Sequence, residues 1–152
     1  MEKQAIIPTF EKVKEFLKNY DWNYREVTTD ENKKLIISNV KLEDVTKGIL
    51  VSFNIEGEYL LVSTVDFLKE VPNAYSKRLL ILNDTLKLVK LFAVYEEKDT
   101  LDAELGFELW NESFNEATFY AFMDMLCIGI NDLNRILKEE QIPHKTSFVT
   151  YQ

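Results

Sequence analysis

The chain has 152 residues, 46% of them hydrophobic, with only four Gly and three Pro, which suits one compact core and leaves little for a disordered linker. A formal net charge of −8, with no basic run to offset it, repels a phosphate backbone and argues against nucleic acid as a partner. The opening "MEKQAIIPTFEKVKEF" lacks the apolar core and cleavage site of a signal peptide, no apolar run approaches the ~20 residues that span a bilayer, and the lone Cys127 cannot close an internal disulfide; the expectation is a cytoplasmic protein with no membrane partner.

Phe10, Val13, Leu17 and Tyr20 recur at helical spacing behind Pro8 and Thr9, which predicts a helix over 10–20 capped by Thr9. "WNYREVTT" and "KLIISNV" are β-rich runs separated by "DENK" and read as a first hairpin. "GILVSFNIE" and "EYLLVSTVDF" read as a second, around Gly57. A two-residue turn of Glu56-Gly57 or Gly57-Glu58 sets Val51 and Phe53 on the face of Leu60 and Val62. After Pro72, Tyr75, Leu79, Leu82 and Leu86 share one face of a helix reaching about residue 87, with Asn73 as its cap. "LVKLFAVYEE" and "TLDAELGFELW" form a third hairpin across "KD"; in its second strand Leu101, Ala103, Leu105, Phe107 and Leu109 alternate with Asp102, Glu104, Gly106 and Glu108. Ser113 and Glu116, three apart, form a capping box for a long helix that runs to about Gln141, ahead of Pro143. The tail "HKTSFVTYQ" has β-like residues and no evident partner strand.

The order α-β-β-β-β-α-β-β-α, with hairpin-linked strands, defines an α+β class: an antiparallel sheet flanked by helices. One domain over 1–142 and a C-terminal tail over 143–152 are expected. Catalytic chemistry is not legible. His144 is the single histidine and has no ligand-forming neighbours at metal spacing, and Cys127 lies among Met125, Leu126 and Ile128, where burial holds a thiol inert. Asp102, Glu104 and Glu108 share a strand face near Glu96, Glu97 and Asp99, a setting for a hard cation such as Ca²⁺. The loop lacks the Gly and the alternating oxygen ligands of a calcium site, so a solvated acidic face is the simpler reading. No phosphate-binding or nucleophile motif occurs, and Gly48, Gly57, Gly106 and Gly129 stand far apart. No catalytic residue, metal or cofactor is expected, and the chain reads as no enzyme.

The stretch "ATFYAFMDMLCIGIND" at 117–132 carries one charge, Asp124, before its last residue. Advancing 100° per residue gathers Phe119, Phe122, Met123, Leu126, Ile130, Leu133 and Leu137 into a core stripe. Ala121, Met125 and Ile128 form a second stripe facing away, with Tyr120 and Asp124 beside it. Either helix 10–20 or the tail's Phe148 and Val149 covers this stripe, or it is a subunit or client surface. If Val89, Leu91, Ala93 and Tyr95 face the core, Leu88, Phe92 and Val94 lie on the outer face of the acidic strand, a second apolar surface.

The same element order, with Leu82-Asn83 late in the second helix, the hairpin strand bearing Glu104-Leu105 and the helix-opening "SFNEATF", resembles the YbjN-type domain family, whose fold is similar to that of type III secretion chaperones. The likeness spans roughly 9–140. It implies a cytosolic bacterial protein, homodimeric, regulatory or chaperone-like, without an established enzymatic site. Two function classes follow. One is a protein-binding adaptor that meets an unidentified client through Tyr120, Ala121, Asp124, Met125, Ile128, Leu88, Phe92 and Val94, with Asp102, Glu104 and Glu108 as an acidic rim. The other is a small-molecule sensor whose internal pocket is lined by Phe53, Phe107, Phe119 and Phe122.

Overall fold

The computed structural model describes residues 7–43 and 46–150. The first six residues of the expected domain and the last two of the tail lie outside the described residues. Helix α1 (Phe10–Asn19) starts where Thr9, in extended backbone, accepts a hydrogen bond from the Lys12 N–H, as the sequence predicts. Strands β1 (Arg25–Thr28) and β2 (Lys34–Lys41) form the first hairpin, and β3 (Lys47–Glu56) and β4 (Tyr59–Thr64) the second. Glu56 faces Tyr59, so the turn is Gly57-Glu58. Gly57 sits at φ 59°, the left-handed conformation that a tight hairpin turn requires and that glycine adopts without strain. Val51 faces Thr64, Phe53 faces Val62 and Ile55 faces Leu60, the register that the hydrophobic pattern demands.

The expected long fourth strand is broken in two. At Asp66 the chain takes φ 52°, and β5 (Leu68–Pro72) leaves β4 to pair with β7 (Thr100–Trp110). A bulge between Leu68 and Val71 brings Glu70 to φ 55°, where its N–H donates to Asp102 Oδ1 at 2.8 Å. The second helix is shorter than its apolar stripe: a 3₁₀ turn over Asn73–Tyr75 leads into α2 (Ser76–Leu82). Asn73 does not cap it; its side-chain amide donates to the Lys98 carbonyl instead. Leu86 remains in the core from the turn beyond the helix. Strand β6 (Lys90–Glu96) then pairs with β7.

The long helix α3 (Glu116–Glu139) is capped by Asn115, which accepts from the Thr118 N–H at 2.9 Å. Ser113 is not its cap, because that hydroxyl is engaged with the backbone of Trp110. The tail is part of the sheet: Lys145 bridges to Lys69, and β8 (Phe148–Thr150) pairs with β3 over Lys47–Ile49.

All strand pairings are antiparallel, and they run β1-β2-β3-β4-β7-β5 with β6 on β7 and β8 on β3. Strand β7 therefore carries β6 along one edge and β4 and β5 in succession along the other. Alternate residues of the central strands, among them Ile36, Val40, Val51, Phe53, Leu60, Val62, Leu105 and Leu109, are buried against the helices. Phe16 of α1 packs on Phe114 and on Phe119 of α3 at ring distances of 5.1 and 5.6 Å, so both helices cover the same face. The opposite face, with Leu35, Ile37, Ser52, Asn54, Leu61 and Ser63, has no helix over it among the described residues, and these side chains are half-buried.

Candidate functional site: two apolar surfaces and an open sheet face

Twelve large hydrophobic side chains are exposed among the described residues, and six of them fall between residues 80 and 95: Leu80, Ile81, Leu88, Phe92, Val94 and Tyr95, at 43–70% exposure. Leu80 and Phe92 border one groove between α2 and β6, Leu88 borders the open sheet face, and Tyr95 lies beside Asp102. Strand β6 is an outer strand of the sheet, paired only with β7 among the described residues. An unpaired strand edge offers backbone donors and acceptors to another chain. Another outer strand, β1, reads Arg-Glu-Val-Thr and carries charge at its edge, a usual protection; β6 reads Leu-Phe-Ala-Val-Tyr between Lys90 and Glu96.

Asn83 controls part of that edge. Its side chain accepts from the Leu91 N–H at 2.7 Å and donates to the Leu91 carbonyl at 3.3 Å, occupying the backbone groups that point away from β7. Lys90 turns its ammonium to the carbonyls of Asn83 and Leu86 at 2.9 and 2.7 Å, where it complements the free carbonyls beyond α2. The Leu82-Asn83 pair thus has a structural role, since it ends the helix and fixes the start of β6. Leu88, at φ 66° and 51% exposure, precedes the strand. Phe92 lies opposite Glu104 as expected, but Tyr95 does not face the core. A bulge between Ala93 and Tyr95 shifts the register and sets Tyr95 opposite Asp102, 57% exposed.

The second stripe of α3 is flanked, not covered. Tyr20 of α1 stacks on Tyr120 with ring centroids 4.4 Å apart and donates its hydroxyl to the Asp124 carboxylate. That bond, with burial behind it, pushes the Tyr20 phenol up to about 12. The Tyr120 hydroxyl lies 2.9 Å from both the Phe16 carbonyl and the Glu116 carboxylate, which share its one hydrogen. Tyr120 and Asp124 therefore fasten α1 to α3. Ala121 and Ile128 stay exposed and Met125 half-buried. The tail's Phe148 and Val149 pair with β3 and do not take part in this cover.

The three acidic residues have three different settings. Asp102 holds the β5 bulge through Glu70. Glu104 is half-buried, with Ser63 as its hydrogen-bonding neighbour, and desolvation pushes its carboxyl above the usual range, with the nearby Asp66 charge adding to the rise. Glu108 is exposed. Glu104 and Glu108 border a groove of about 640 Å³ on the open sheet face, together with Leu35, Leu61, Leu88 and Phe92. Gly106 lies between the two glutamates; a Cβ there would come within 2.2 Å of the Val62 carbonyl, so the position accepts no side chain and the groove keeps an open floor.

Of the rings expected around an internal pocket, Phe53 packs on Phe119 and Phe107 on Phe122, with centroids 6.2 and 5.0 Å apart; they fill the core with one another. Cys127 is half-buried, and its thiol is pushed up to about 11, chiefly by burial and then by the Asp124 charge. His144 is half-buried, with Nδ1 2.8 Å from the Ile142 carbonyl. No group of three or more metal-ligating side chains converges among the described residues, and no helix among them is long and apolar enough to cross a membrane.

These features define an α+β domain with an eight-stranded antiparallel sheet and three helices, and its fold is YbjN-like. The particular likeness is to the crystal structure of YbjN from E. coli, a proposed transcription regulator: TM-score 0.61 and 12% identity, covering 91% of this chain and 98% of that one. No protein-family model and no curated protein matches the sequence.

Proposed function

We propose that the chain is a non-enzymatic, cytoplasmic protein-binding module, a regulatory or chaperone-like adaptor that acts as a homodimer joined through the α2–β6 edge. The observation that carries this reading is that half the exposed large apolar side chains among the described residues fall on one outer strand, the short helix before it and the link between them. Contiguous exposed apolar surface marks interfaces. The edge of an antiparallel strand can meet its own copy across a two-fold axis, and the middle of β6, Leu-Phe-Ala-Val-Tyr, carries no charge to oppose it. Ala121, Met125 and Ile128 on α3 are a smaller surface, suited to a client, with the exposed Asp124 beside them favouring basic partners in the encounter. The described role of YbjN agrees with a regulatory module.

Sedimentation equilibrium of the wild type, Leu80→Asp, Val94→Asp and Ile128→Asp tests the reading. Dimeric wild type and Ile128→Asp, with monomeric but fully folded Leu80→Asp and Val94→Asp, are expected. A monomeric wild type, or a dimer broken only by Ile128→Asp, would refute the edge as the dimer surface.

A further inference from the structure

We propose that the groove across the open face of the sheet binds a linear organic dication, an alkyl chain with an ammonium or guanidinium group at each end, which places one cation at Glu104 and the other at Glu108. The two glutamates lie four residues apart on β7, so their backbone positions are separated by about 13 Å along the strand. One compact cation cannot satisfy both. Leu61 stands across from Glu108 and Phe92 across from Glu104, with Ser63 and Lys90 on either side of Gly106 between them, so a methylene chain laid along β7 meets an apolar side chain beside each of its charged ends.

Charge complementarity favours such a ligand. Neither Glu104 nor Glu108 has a cationic partner among the described residues. The one cation bordering the groove, Lys90, directs its ammonium to the carbonyls of Asn83 and Leu86. Ser52, Asn54 and Ser63 add neutral hydrogen-bonding groups. The volume of about 640 Å³ falls in the range of small-molecule sites. An extended peptide fits less well: β3, β4 and β7 are paired on both sides, so their backbone groups are taken and a peptide backbone would find no ladder to join.

Both glutamates are on β7, but the groove shares Leu88 and Phe92 with the α2–β6 edge, so the titrations are paired with sedimentation at the same protein concentration. Calorimetric titration of the full chain with 1,8-diaminooctane, 1,4-diaminobutane and octylamine provides the test. The longer diamine should bind about tenfold more tightly than either control, since it alone reaches both carboxylates with its two charges. Glu104→Gln and Glu108→Gln should each remove that advantage and leave the affinity near that of octylamine, with sedimentation unchanged and no loss of melting temperature. Glu139→Gln, at the far end of α3, should change nothing. The proposal is overturned if octylamine binds as well as the diamine, if the β7 variants bind normally, or if Glu139→Gln weakens binding as much as they do, which would mean diffuse attraction to an acidic chain.

Discussion

Two apolar surfaces, the outer stripe of α3 and the edge formed by α2 and β6, differ in what their neighbours leave open. The α3 sequence carries a single charge between Ala117 and Asn131, yet α1 seals one of its flanks through Tyr20, Tyr120 and Asp124, and only Ile128 among its large hydrophobic side chains is exposed. The α2–β6 segment is shorter and less conspicuous, and it exposes six. Exposure is decided by packing partners that lie far off in sequence. Tyr20 and Asp124 are 104 residues apart, and a local pattern carries no record of such a meeting.

The sharpest way to break the comparison is to place a charge on each side of α3. Leu126 is fully buried and Ile128 half-exposed. Leu126→Asp should cost about 4 kcal/mol or more and unfold the domain, because an unpaired carboxylate cannot stay in the core. Ile128→Asp should change stability by less than about 1 kcal/mol. Thermal melts of both variants check this, and equal losses would show that the stripe is core after all.

Removing Asn83 sharpens the other half. Asn83→Ala deletes two hydrogen bonds to the Leu91 backbone, for an expected loss of about 1–3 kcal/mol. It also lengthens the unpaired part of β6, so self-association should strengthen with it. Denaturant titration and sedimentation read the two effects separately. Reduced association in a folded Asn83→Ala protein would mean that this edge is not where copies meet.

What the sequence disclosed was chiefly periodic. The α1 stripe, the β3–β4 register and the alternation of β7 each follow from side chains repeating at a fixed spacing over several residues, and a buried face enforces that spacing. The failures fall where one residue leaves the ordinary backbone region or chooses between competing hydrogen bonds. Asp66 at φ 52° splits the expected fourth strand, Ser113 gives its place as cap to Asn115 because Trp110 engages it, and a one-residue bulge turns Tyr95 outward. The tail found its partner in β3, more than ninety residues earlier in the chain, too far for any local signal. Of the surface residues, the alternation places Phe92 opposite Glu104 as found, but the bulge at Val94 interrupts it, and Leu80 and Ile81 were hidden in the run "RLLIL", where an apolar stretch around a short helix does not show which side is covered.

A smaller effect concerns Glu104, between the edge and the open face. Its folded carboxyl titrates above the unfolded value. The fold therefore favours the protonated form, a contribution fully present below the unfolded pKa of about 4.3 and lost as pH rises through the folded value. Glu104→Gln should melt slightly above the wild type at pH 7, by a few tenths of a kcal/mol, since the group is only half-buried. The difference should shrink toward zero as pH falls below about 4. A variant less stable than the wild type at pH 7 would show that this carboxylate supports the fold.

The most direct measurement of the central claim is amide hydrogen exchange followed as a function of protein concentration. If copies meet along the α2–β6 edge, protection of the amides from Ala93 to Glu96 should rise with concentration, while amides around Ile128 in α3 stay unchanged. Protection that rises around Ile128 and not along β6, or along neither, would contradict it.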